Sequence, residues 1–423
     1  MAATDKLREI PNVCNPRTPL PADDPDKYYV DCWEVRGGGG LKRIERKIRG
    51  SESFTYQLVS GHTGCGKTTE ILRLQAELED NKEGRKYKVL YVDADKKLDL
   101  SNVEFVDILL AIGEQLESEK PGNLLSGLSG MQDELGMALD GAHFSFNLGV
   151  MSIKSGGSQR KGLRKAFGNY LTPIISRLND ALGDLRKSVK EEGYTDLVMI
   201  VDNLEKILPL SADSSGGFEK TNHEAIFVDR ASLFTDLNLH LVLTVPLSLC
   251  HISACASQLG RLYDREPTVI PMIRVWDRIE KKDYDDGINI LKKVIAQRMD
   301  LEKVFDDEET WKKICRKSGG AIRDFLRIVS EASLYCDNLP ITGQTVDKAV
   351  QEMVNAYNRG IGPYMTLLKK VDRTKQFPDE VDIRQKKIAL HVLYVLEYYN
   401  GDQWYDIHPL IRRTRTFKES KHE

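Results

Sequence analysis

Gly61-His62-Thr63-Gly64-Cys65-Gly66-Lys67-Thr68-Thr69 sets the architecture expected of this 423-residue chain. It follows Phe54–Ser60 (FTYQLVS), an apolar run that reads as a buried strand, and precedes Glu70–Leu78 (EILRLQAEL), which has helical periodicity. Strand, glycine-rich loop and helix are the context that the pattern G-x-x-x-x-G-K-[ST] requires. A phosphate group carries dense negative charge. A loop that holds one needs inward-pointing backbone N–H groups and no side chains in the way. Gly61, Gly64 and Gly66 meet that need, and the N-terminus of the following helix adds its positive dipole end. Lys67 is then placed to reach the β- and γ-phosphates of a nucleotide, and the Thr68 hydroxyl to join a Mg²⁺ shell. Thr63 and Thr69 complete the candidate nucleotide-binding stretch. His62 lies in the loop with no chemical partner in view, and Cys65 reads as a small residue that fits it or as an oxidisable thiol.

Further strands follow at regular intervals. Tyr87–Val92 (YKVLYV) reads as the second, Asp196–Asp202 (DLVMIVD) as the third, His240–Val245 (HLVLTV) as the fourth and Thr268–Val275 (TVIPMIRV) as the fifth. The third is an unbroken apolar run ending in an acid. Downstream of a phosphate-binding loop, that pattern assigns Asp202 to the metal shell. Helical patterns over Val103–Leu116, Arg160–Glu192 and Ser248–Gly260 separate the strands, so the chain is expected to form an α/β, P-loop NTPase type of parallel αβα sandwich.

Before the loop, residues 1–27 read as an irregular lead-in, Tyr28–Val35 as a short strand or extended segment and Leu41–Ile48 as a short amphipathic helix after four glycines. Connections between strands and helices are typically short, so roughly 118–160 reads as an insertion. It has an alternating FSFNLGVMSI pattern (144–153) that suggests a β-hairpin. Its hairpin and basic flank (Lys154, Arg160, Lys161, Arg164, Lys165) could meet a partner or nucleic acid, or the flank could simply start a solvated helix.

From Tyr284 the pattern becomes helical: Gly287–Arg298, Glu308–Arg316, a helix opened by Ser318-Gly319-Gly320-Ala321-Ile322-Arg323, and Thr342–Asn358. After Gly360, Gly362 and Pro363 come a helical stretch Ile383–Glu397, a turn at Asn400-Gly401, Trp404–Ile411 and a basic tail (Arg412, Arg413, Arg415, Lys418, Lys421). This ending suggests a small winged-helix module in which Trp404 and His408 pack. The expected organisation is an N-terminal segment (1–50), a P-loop core (51–280), a helical lid (281–360) and the C-terminal module (361–423). No internal repeat is evident.

Net charge of −3, from 61 Lys and Arg against 64 Asp and Glu, gives no global case for a nucleic-acid partner. No run approaches membrane-spanning length. Seven scattered cysteines without a C-x-x-C pair suggest a reducing, cytoplasmic setting.

With GHTGCGKTT, LVMIVDNLE and SGGAIRDFL in this order, the chain resembles the AAA+ superfamily and the related STAND-type signalling ATPases over roughly residues 28–340. The resemblance implies ATP and Mg²⁺ as cofactors and ATP hydrolysis as the activity. It gives Arg323 the sensor 2 role toward the γ-phosphate and Thr244 the sensor 1 position facing the attacking water. Arg261 and Arg265 stand where an arginine finger reaches a neighbouring subunit, so self-association is implied. Each also has a plain reading: a helix-start salt bridge, a core β-branched residue, surface charges. One position departs from the AAA+ pattern, because Asn203 follows Asp202 where a Glu is usual. Glu205 could orient water in its place or be an exposed charge.

The chain also looks like bacterial ATPases of this length, some of which sit beside an effector protein in antiphage defence. The leading expectation is an ATPase that passes a conformational change to a partner. The alternatives are a nucleotide-gated DNA-binding initiator and a STAND-type switch with little hydrolysis.

Overall fold

In the computed structural model, the described residues are 3–15, 27–121, 164, 168, 170–210, 220–280 and 282–420. They form two compact units: Leu41–Ser60 with Leu74–Thr268, and Met1–Gly40 with Gly61–Arg73 and Val269–Glu423. Among the described residues no helix is long and apolar enough to cross a membrane.

The first unit is built on parallel strands β1 (Tyr56–Gly61), β2 (Tyr87–Asp93), β3 (Asp196–Asp202) and β4 (His240–Val245). With the short β5 (Thr268–Ile270) the sheet order is β2-β3-β4-β1-β5, the α/β arrangement of a P-loop NTPase. The registers run Tyr87↔Asp196 to Asp93↔Asp202, Val198↔His240 to Val201↔Leu243, and Tyr56↔Leu241 to Ser60↔Val245. Successive side chains on a strand point to opposite faces. Leu58, Leu197, Met199, Leu241 and Leu243 join one core with residues of the helices Phe105–Glu119 and Leu171–Glu191. The alternate positions Val59, Val198, Ile200 and Val242 are buried as well. Burial on both faces explains why these strands read as continuous apolar runs rather than alternating ones.

His240, at the start of β4, shows what this core does to a titratable group. Its Nδ1 accepts from the Thr55 amide at 3.2 Å, and its ring meets Phe54 and Tyr87 edge-on. Burial, reinforced by Arg186 and opposed by Asp196, lowers its pKa to about 4. The folded state therefore binds a proton less readily than the unfolded chain. The stabilisation is complete above pH 6.5 and disappears as the pH falls towards 4, about 3 kcal/mol in all. Urea unfolding between pH 7 and pH 4 checks this: the acid loss should be smaller by that amount in His240→Leu, and equal losses in both proteins reject it.

Several sequence expectations change here. Ser248–Gly260 is two helices, Leu247–Cys250 and Ser253–Leu262, because Ile252 is extended between them. The fifth strand stops at Ile270, before Pro271, which has no N–H to donate to a ladder. The 144–153 hairpin and nearly all of the 118–160 insertion lie outside the described residues. Of its basic flank, Arg164 is described, and it is no partner-facing cation. Its guanidinium is buried against Asp107, Glu104 and Asn102.

The second unit is mostly helical. Asp285–Ala296, Glu308–Ser318, Ile322–Leu334 and Gly343–Gly360 surround a core that includes Leu291, Trp311, Phe325, Val329 and Val350. Residues 1–27 are not wholly irregular: Ala3–Val13 is a helix whose Ile10 enters this core. Tyr28–Val35 is not a strand either, since it ends inside the helix Trp33–Arg36.

The C-terminal stretch adds a helix that the sequence reading lacked, Met365–Thr374, and shortens another. Ile383–His391 is helical, but Val395–Tyr399 is strand β6, paired antiparallel with β7 (Gln403–Ile407) about the Asn400-Gly401 turn. The sequence VLEYY is rich in β-branched and aromatic side chains, and cross-strand packing decides such segments. Tyr398 stacks on Trp404 at 4.5 Å, and its hydroxyl donates to the Gly319 carbonyl at 2.7 Å.

The basic tail is largely consumed internally. Arg412 pairs with Asp372 and Asp406, Arg413 with Asp347, and Arg415 with Glu419. Lys421 lies outside the described residues.

Candidate functional site

Residues 61–69 and Asp202 belong to different units. In the loop, Gly64 takes φ +85°, a region that L side chains rarely adopt, and a Cβ there would stand 2.7 Å from Cβ of Arg323. The Arg323 amide donates to the Gly64 carbonyl at 3.1 Å. Arg323 thus opens its helix directly on the loop.

The Lys67 ammonium is buried and donates to the carbonyls of Gly61 (2.9 Å) and His62 (3.1 Å). Lys67 also begins the helix Lys67–Glu79, whose first amides lack partners inside the helix. Cys65 is fully buried and fits the loop as a small residue; Thr63, Thr68 and Thr69 are half-buried.

His62, for which the sequence alone shows no partner, is hydrogen-bonded in the fold. Its Nε2 accepts from the Glu397 amide at 2.9 Å, which leaves the ring proton on Nδ1, 3.2 Å from the Leu390 carbonyl. The second loop residue is therefore tied to the C-terminal helix Ile383–His391 and to β6. Another histidine meets the helix Ile322–Leu334: His408 Nε2 lies 3.0 Å from Asp324, the neighbour of Arg323.

In the sheet unit the strands are parallel, so the C-terminal ends of β1, β4 and β3 open on one edge, the edge at which open α/β sheets bind ligands. Asp202 ends β3. Its Oδ2 accepts from the Tyr91 hydroxyl at 2.9 Å and its Oδ1 from the Asn203 amide at 2.7 Å. Burial, and then the Asp202 carboxylate, push the Tyr91 phenol well above its ordinary pKa, so it stays a donor.

Asn203 takes left-handed φ +69°, which Asn tolerates better than most residues. Its Nδ2 donates to Asp93 at 2.8 Å. A glutamate at this position would set a carboxylate against Asp93. Glu205 sits in the 3₁₀ turn Leu204–Lys206 and is 6% exposed, so the reading of it as an exposed charge does not hold.

Thr244 is buried on β4, and its hydroxyl accepts from the Leu204 amide at 2.9 Å. It anchors the turn that carries Glu205. Thr244→Val keeps the shape and leaves that buried N–H unsatisfied, at a cost of about 1–3 kcal/mol. Urea unfolding measures it, and an unchanged midpoint removes the anchoring role. Arg261 is exposed, and Arg265 is half-buried, with its pKa lowered by burial and by Arg43.

No protein-family model and no curated protein matches the chain. Among solved structures it is similar to the Walker-type ATPase paby2304 of Pyrococcus abyssi, at 12% identity over 89% of this chain and 95% of that one, with a TM-score of 0.44. It is also similar to the structure of Drosophila ORC bound to DNA, at 13% identity over 95% of this chain and 89% of that one, with a TM-score of 0.43.

Proposed function

We propose that the chain binds Mg²⁺–ATP through residues 61–69 and hydrolyses it slowly, using the nucleotide state to control self-association and a partner protein. The observation that carries this is the loop itself: a buried Lys67 ammonium, a left-handed Gly64 and a helix N-terminus in one short stretch. A phosphate fits that donor set. The lysine and the loop amides offer only hydrogen-bond donors to it, and a side chain at Gly64 would fill the space.

Lys67 would neutralise phosphate charge, and Thr68 and Asp202 are the hard oxygen donors that would hold Mg²⁺. The metal, when bound, supplies charge neutralisation at the phosphates. Glu205 would orient water. Arg323 would sense the terminal phosphate from the start of its helix, and Arg261 or Arg265 would serve a neighbouring subunit.

Steady-state ATP hydrolysis across protein concentration, with and without duplex DNA, tests the reading. Specific activity that rises with concentration supports sites completed between subunits. Absence of both binding and turnover at every concentration overturns the proposal.

A second reading is a switch with almost no hydrolysis. The Asn203–Asp93 bond favours it, since an amide rather than a carboxylate follows Asp202. The initiator-like reading is weakened by the internal pairing of Arg412 and Arg413.

A further inference from the structure

We propose that Arg36, outside the nucleotide-binding motif, is a positioning residue that sets the direction of the Cys65–Gly66 peptide in the phosphate loop. The proposal rests on the nucleotide reading above. Arg36 ends the helix Trp33–Arg36 and is 1% exposed. Its Nη2 donates to the Cys65 carbonyl. Its Nη1 lies 3.5 Å from Glu70 Oε1, and the other Glu70 oxygen accepts from Trp33 Nε1 at 2.7 Å. Glu70 lies three residues after Lys67 on the same helix. A Cβ added to Gly66 would stand 3.5 Å from Arg36 Nη2, so the guanidinium lies directly beside this peptide.

A trans peptide is planar, and its C=O and N–H point in opposite directions. The Cys65 carbonyl and the Gly66 amide belong to one such unit. A guanidinium holding the carbonyl on one side turns the Gly66 N–H to the other. Gly66 has φ +98° and no Cβ, so the loop itself does little to prefer one orientation of this peptide. The preference is imposed from outside, by a cation about thirty residues upstream in sequence.

The geometry also carries a cost that packing alone does not explain. Among the described residues Arg36 Nε is buried with no hydrogen-bond partner. An apolar side chain would fill the space without that penalty. What it would not supply is a donor to the Cys65 carbonyl.

The test compares wild type, Arg36→Lys and the double variant Arg36→Met/Glu70→Gln, which removes both buried charges together so that neither is stranded. Affinity for a fluorescent ATP analogue with Mg²⁺ is read beside the thermal midpoint. The double variant is expected to bind about 10–100-fold more weakly, the size of one lost charge-assisted bond. Arg36→Lys keeps a cationic donor and is expected to recover most of that loss. Double-variant affinity within threefold of wild type overturns the role of Arg36 while leaving nucleotide binding intact. Equal weakening of both variants, in step with lowered midpoints, assigns Arg36 to folding alone and also overturns it. Wild type that does not bind the analogue overturns the nucleotide reading, and the role falls with it.

Discussion

Lys67→Ala is expected to abolish measurable nucleotide binding. Lys67 is 4% exposed, and its ammonium is held by two carbonyls of its own loop, Gly61 and His62. In the proposed complex it exchanges those neutral acceptors for anionic phosphate oxygens, which add charge–charge attraction to its hydrogen bonds. Two such bonds, each worth about 1.5–3 kcal/mol, correspond to a loss of about 10²–10⁴ in affinity. Titration with a fluorescent ATP analogue measures it, and circular dichroism establishes that the variant is folded. A folded Lys67→Ala protein that binds within threefold of wild type rejects the phosphate-loop reading.

Glu205→Gln is expected to leave binding in place and to lower turnover by about 10²–10⁴-fold, the usual contribution of a positioned general base. The change is isosteric, so what it removes is charge and proton affinity. The direction of the side chain is imposed by its turn. Thr244 accepts from the Leu204 amide, Asn203 is anchored on Asp93, and Lys206 pairs with Asp95 at 2.7 Å, so the residues on both sides of Glu205 are tied down. Single-turnover hydrolysis under saturating ATP is the measurement. An unchanged rate removes Glu205 from the chemistry and moves the switch-like reading ahead.

The two experiments separate binding from chemistry. Loss in the first with no detectable turnover in wild type describes a nucleotide-gated switch. Loss in both describes an ATPase.

Much of this protein was legible in its sequence for a local reason. The loop at residues 61–69 is legible because the phosphate binding proposed for it would reside in the backbone, and only glycine leaves that backbone bare. Buried parallel strands announce themselves as apolar runs, so β2, β3 and β4 fall within a residue of where YKVLYV, DLVMIVD and HLVLTV put them.

What tertiary structure alone decided are the features whose partners lie far off in sequence and have no period. His62 meets a backbone amide 335 residues away. Tyr91 reaches Asp202 because β2 pairs with β3. The strand at Val395 exists because Trp404 and Tyr405 pair against it. Arg412 and Arg413 read as a basic tail until Asp372, Asp406 and Asp347 meet them. Arg36 looks like an ordinary surface arginine until the fold buries it against Cys65 and Glu70. Local propensity and periodicity carry information over a few residues. The direction of a loop peptide, the burial of a carboxylate and the pairing of a cation depend on which distant groups the packed chain brings alongside.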